Sequence, residues 1–72
     1  MPDIAIDVCM LEPPEPMERV LDTLSRLGPG DRLAVRIDRE SHPLYRVLER
    51  NGYGYQIAPR ADLRYDLLIW QV

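Results

Sequence analysis

The chain has 72 residues, a formal charge of −3, one cysteine and one histidine. That length gives one thin-cored domain, residues 1–72, and a lone cysteine excludes an intrachain disulfide or a multi-cysteine metal site. The acidic balance excludes a basic nucleic-acid face, and no apolar run reaches the roughly 20 residues of a membrane span. Met1-Pro2-Asp3 shows no basic, apolar or cleavage region of a signal peptide, so the expected location is the cytoplasm.

Ile4, Ile6 and Val8 alternate with Asp3, Ala5 and Asp7, the pattern of a half-buried strand. Cys9-Met10-Leu11 then leads into Glu12-Pro13-Pro14-Glu15-Pro16. Proline has no backbone N–H and a φ fixed near the helical value, so it suits the first turn of a helix. Met17, Val20, Leu21, Leu24 and Leu27 follow at three- and four-residue spacings and form one apolar stripe. Glu12, Glu15 and Glu18 crowd the positive end of the helix dipole, and Arg26 lies near the negative end. Gly28-Pro29-Gly30 stops the helix.

Asp31 opens a second strand in which Leu33, Val35 and Ile37 face one way and Arg32, Ala34 and Arg36 the other. Asp38 to His42 is a polar connection. Ser41 or His42 caps the next helix, with Pro43 in its first turn and Leu44, Val47 and Leu48 as its buried stripe. Asn51-Gly52 ends it. Tyr53 to Ala58 is a third strand with Tyr55 and Ile57 on one face. Pro59 to Asp62 is a turn, and Leu63 to Gln71 is a fourth strand with Tyr65, Leu67 and Ile69 alternating. Helical connections favour parallel neighbours, whereas the short last turn lets the final two strands pair antiparallel. The expected fold is an α/β (α+β) two-layer sandwich, β-α-β-α-β-β. Its four-stranded mixed sheet carries two helices on one face and leaves the other open.

Ile6-Asp7-Val8-Cys9-Met10-Leu11-Glu12-Pro13-Pro14-Glu15-Pro16 resembles the opening motif of the TusA/SirA-like sulfur carriers, Leu-Asp-x-x-Gly-Leu-x-Cys-Pro-x-Pro. Leu27 to Val35 looks like that superfamily's second landmark, a Gly-acidic turn into a strand, and Gly52-Tyr53-Gly54-Tyr55 like its third. The resemblance spans nearly the whole chain and implies the same order of elements. The carriers hold transferable sulfur on the motif cysteine, and Pro13 stands at that position here. Pro-Pro-x-Pro together with Pro43-Leu44-Tyr45 is similar to a side branch of the superfamily described only as a domain of unknown function.

Several residues carry candidate chemistry. Glu12, Pro13, Pro14, Glu15 and Pro16 are the equivalent of the carrier site, either plain helix initiation or a docking surface for a partner. Cys9 is the only thiol. It is a small buried hydrophobe or, in the alternative, the sulfur-accepting group of a relay. His42 with Asp38 or Glu40 is too sparse a set for a metal, and no cofactor fingerprint is present. Asp7 and Glu12 are acid–base candidates only if one cleft separates their pKa values. On the open sheet face, Leu68 and Trp70 join Ala34 and Ala58, with Arg36 placed to stack on the indole. That patch is the expected protein interface, homodimeric or with another protein. The resulting expectation is a non-enzymatic interaction or regulatory module, with a Cys9 sulfur or redox relay as the alternative.

Overall fold

Apolar alternation and the two proline-led helix starts become six elements in the computed structural model, which describes residues 3–72. Met1 and Pro2, where the signal-peptide expectation begins, lie outside the described residues. The elements are β1 (Asp3–Asp7), α1 (Glu15–Leu24), β2 (Arg32–Ile37), α2 (His42–Arg50), β3 (Tyr53–Pro59) and β4 (Tyr65–Gln71). The sheet runs β1-β2-β4-β3. β1 pairs parallel to β2, and β4 is antiparallel to both β2 and β3. This is the expected two-layer sandwich with a mixed sheet.

The core fills the space between sheet and helices. Leu33, Val35 and Ile37 of β2 and Leu67 and Ile69 of β4 are buried against Val20 and Leu24 of α1 and Leu44, Tyr45 and Leu48 of α2. A fully buried leucine or isoleucine contributes about 1.5–3 kcal/mol. β4 lies between β2 and β3, so its alternate residues are sealed as completely as those of β2.

Some boundaries differ from expectation. α1 stops at Leu24, where Arg26 N–H donates to Thr23 O at 3.0 Å and Leu27 N–H to Leu24 O at 3.2 Å. These tight turns take Leu27 out of the helical stripe, yet it still packs against the core. In α2, Ser41 Oγ accepts from Leu44 N, so Ser41 rather than His42 is the cap. Tyr45 is buried where Val47 was expected, because its ring stacks on Tyr55 with centroids 4.9 Å apart. β4 begins at Tyr65 rather than Leu63. Leu63 has φ 69 and is 87% exposed in a turn closed by Arg60 N donating to Arg64 O at 2.7 Å.

Candidate functional site

The proline stretch ends the turn that follows β1. Two carboxylates hold that turn: Cys9 N donates to Asp7 Oδ1 at 2.9 Å, and Met10 N to Asp38 Oδ2 at 3.1 Å. Between these anchors Met10 takes φ 70, a left-handed backbone that costs a residue with a Cβ about 1 kcal/mol or more. Met10 is nonetheless 81% exposed.

α1 starts after Pro14, which supplies no side-chain cap. Pro14 and Pro16 have no N–H, and Glu15 N donates to Glu12 O at 2.9 Å. Glu15 also pairs with Arg19 at 3.1 Å. This helix end therefore offers an anion few free donors and surrounds it with carboxylates. Between it and the start of α2 lies a cleft of about 520 Å³. Glu12, Pro13, Pro14 and Pro16 line it with Met10, Met17 and Pro43. Glu15 opens instead onto the outer flank of α1, with Glu18 and Asp22. The motif residues are thus brought together, but on two adjoining surfaces.

Cys9 does not line this cleft. It is half-buried, and its thiol is pushed above the ordinary 9.0 by burial first and then by the Asp7 carboxylate. Arg64 offsets only part of this. Asp7 shows the reverse effect. The Cys9 backbone N–H, followed by the Cys9 side chain, holds its carboxyl below the ordinary 3.8. A thiol favoured in its protonated form is a poor nucleophile. Asp7 and Glu12 do not share a site, for Asp7 stands on the open sheet face and Glu12 in the proline cleft. His42 is exposed and meets the Tyr45 ring edge-on at 5.6 Å. Among the described residues, no group of three His, Cys, Asp or Glu side chains is placed to hold a metal.

The open face is arranged in three rows across the strands. At one end Asp3, Arg32, Trp70 and Gly54 are register neighbours. Ala5, Ala34, Leu68 and Gln56 form the middle row, and Asp7, Arg36, Asp66 and Ala58 the far one. Ala34, Arg36, Ala58 and Leu68 surround one shallow depression of about 620 Å³, which Trp70 does not line. The expected stacking of Arg36 on Trp70 does not occur. Register puts the two residues at opposite ends of the face, and Arg36 Nε instead lies 3.7 Å from Asp66 Oδ1. Arg60 also holds Asp66, at 3.0 Å, and Asp62, at 3.2 Å.

Trp70 is half-buried and lies across Gly54. A Cβ added to Gly54 would meet Trp70 Nε1 at 2.5 Å. Sequence reasoning noticed Gly54 only as part of a landmark and missed this contact. A glycine inside a strand, the signal for a close approach, was there to be read.

The crystal structure of a SirA-like protein from Desulfitobacterium hafniense superposes with a TM-score of 0.82 at 25% identity, over 92% of this chain and 93% of that one. No curated protein matches. The common scaffold is that of the SirA/TusA-like superfamily. Residues 5–71 match the family described as "Uncharacterized conserved protein (DUF2249)", and the chain belongs to that family.

Proposed function

We propose that this protein is a non-enzymatic interaction or regulatory module on a sulfur-carrier-like scaffold that lacks the carrier thiol, of the branch with Pro-Pro-x-Pro in place of Cys-Pro-x-Pro. Pro13 carries this reading. It stands where the carriers hold sulfur, and its ring has no group that can accept or release a sulfur atom. The chain acts by contact, in the cytoplasm, with a protein partner. Two surfaces support contact. One is the proline cleft, where Met10 is held exposed in a costly backbone conformation and an apolar floor is rimmed by Glu12, Asp38 and Glu40. The other is the open face of Ala34, Arg36, Ala58, Leu68 and Trp70.

The test is sulfur transfer. The folded protein is incubated with a cysteine desulfurase and cysteine, and its intact mass is measured without reductant. The expected mass is unchanged. A gain of sulfur that is then passed to an acceptor would overturn the proposal.

A relay through Cys9 is the second reading. It is favoured by the thiol being half-buried rather than sealed, with Arg64 acting to lower its pKa. Thiol-reagent kinetics at neutral pH separate the two. The module reading expects Cys9 to react far more slowly in the native protein than after denaturation. Native labelling as fast as that of the unfolded chain favours the relay.

A further inference from the structure

The two edges of the sheet are built differently. Among the described residues, β1 and β3 each lack a strand on one side. Unpaired N–H and C=O groups along an edge are a template for another strand unless charge, proline or cover blunts them. β1 is blunted. Val8 N donates inward to Arg36 O at 2.9 Å, so by alternation the outward backbone belongs to Asp3, Ala5 and Asp7. Two of those three residues are carboxylates, and twofold antiparallel pairing about Ala5 would set Asp3 against Asp7.

β3 has no such guard. Tyr53–Pro59 contains no charged residue. Val72 N donates to Gly52 O at 3.3 Å and Arg60 N to Arg64 O at 2.7 Å, which fixes the hydrogen-bonding phase of the β3–β4 pair. Gly54, Gln56 and Ala58 then bond to β4, while the backbones of Tyr53, Tyr55, Ile57 and Pro59 point outward. Pro59, which has no N–H to give, falls in the outward set, where a strand proline is tolerated.

We infer that β3 pairs antiparallel with β3 of a second copy, about a twofold axis at Tyr55. Tyr55 then faces its counterpart, and Tyr53 faces Ile57 of the second copy. Each outward N–H of these three residues meets a carbonyl, and Pro59 does not enter a hydrogen-bonded pair within the strand. Centring on Gln56 instead would set Tyr53 against Pro59 and forfeit a bond at each end. No like charges meet along β3. The arrangement is closed, because it consumes the free edge and leaves a guarded β1 at both ends of the joined sheet.

The open face supports the same register. The indole of Trp70 reaches over Gly54, and its N–H can only donate. Tyr55-centred pairing sets Gly54 opposite Gln56 of the second copy. Gln56 is exposed and on the same face, and its side-chain amide brings an acceptor to the rim of that indole. A foreign strand would find the same backbone but not this reciprocal contact. The inference does not depend on the function proposed above.

Residue-resolved amide hydrogen exchange from micromolar to millimolar protein tests it, beside light scattering. The amides of Tyr53, Tyr55 and Ile57 are expected to gain at least tenfold protection as dimer forms. Those of Gly54, Gln56 and Ala58 stay protected throughout, and those of Ala5 and Asp7 stay open. Gln56→Lys, at an exposed position, should keep the native circular dichroism and weaken association at least tenfold. Edge amides as open as Ala5 and Asp7 at millimolar protein would overturn the inference. So would a dimer whose protection falls on another surface, or one that binds a foreign strand at β3 without self-pairing. Undiminished association of Gln56→Lys would overturn the Tyr55-centred register.

Discussion

Gly54 shows how one residue type can be required without any chemistry of its own. Trp70 occupies the space that a side chain at 54 would need, with indole atoms 2.5 to 2.9 Å from the position of a Cβ. Gly54→Ala is expected to displace the ring and cost about 1–3 kcal/mol, as overpacking does. Urea unfolding followed by Trp70 fluorescence would measure both the loss and the ring's new environment. Met10 is the opposite case, a side chain kept where the backbone favours glycine. Asp7 and Asp38 make that possible by accepting from the two successive N–H groups at the bend. The sequence shows Cys9 as the lone thiol. It does not show that Asp7, two residues earlier, disfavours its ionisation, because that depends on how the turn folds back. Arg36 meets Asp66 rather than Trp70 for a related reason. Strand alternation tells which face a side chain takes, but only register tells its neighbour across the sheet.

Among the elements, α2 and β3 are joined through two tyrosines. Tyr45 stacks on Tyr55 with planes 11° apart, and its hydroxyl donates to Glu40 Oε1 at 3.3 Å. Tyr55 OH donates to Glu49 Oε2 at 2.6 Å. Burial, then the Glu40 carboxylate, pushes Tyr45 up to about 12 from 10.0. The folded protein therefore keeps this proton after the unfolded chain has lost it. The stability from this group is present below pH 10.0, falls as pH rises, and is gone above about 12. Its size is of order 2 kcal/mol. Thermal melts across this range should show a steep alkaline loss for the wild type and a shallower one for Tyr45→Phe. Equal slopes would dissociate the alkaline loss from Tyr45. The helix starts were legible because proline and serine act locally. The end of α1 was harder to place, since Leu27 stays on the core although the helix has ended.

For the whole molecule, the last strand is the one the others depend on. β4 is bonded on both sides and carries Leu67 and Ile69 at 1% and 0% exposure. A chain of 72 residues has little stability in reserve. Leu67→Ala removes a methyl-rich side chain from the buried core at a cost of about 2–5 kcal/mol. It is expected to leave the protein largely unfolded at 37 °C by circular dichroism, whereas the same truncation at exposed Leu63 should leave the melting curve within error of wild type.

Local sequence determined the elements, their order, the core side of each strand and the open face. These follow from backbone constraint and apolar period, which act over a few residues. Only the tertiary structure decided that β4 lies between β2 and β3, that Arg36 meets Asp66, that Trp70 covers Gly54 and that Asp7 and Asp38 together hold the bend at Met10. Each joins residues far apart in the chain or across a strand pair, and such contacts are selected by the packing of the whole sheet, which no local pattern encodes.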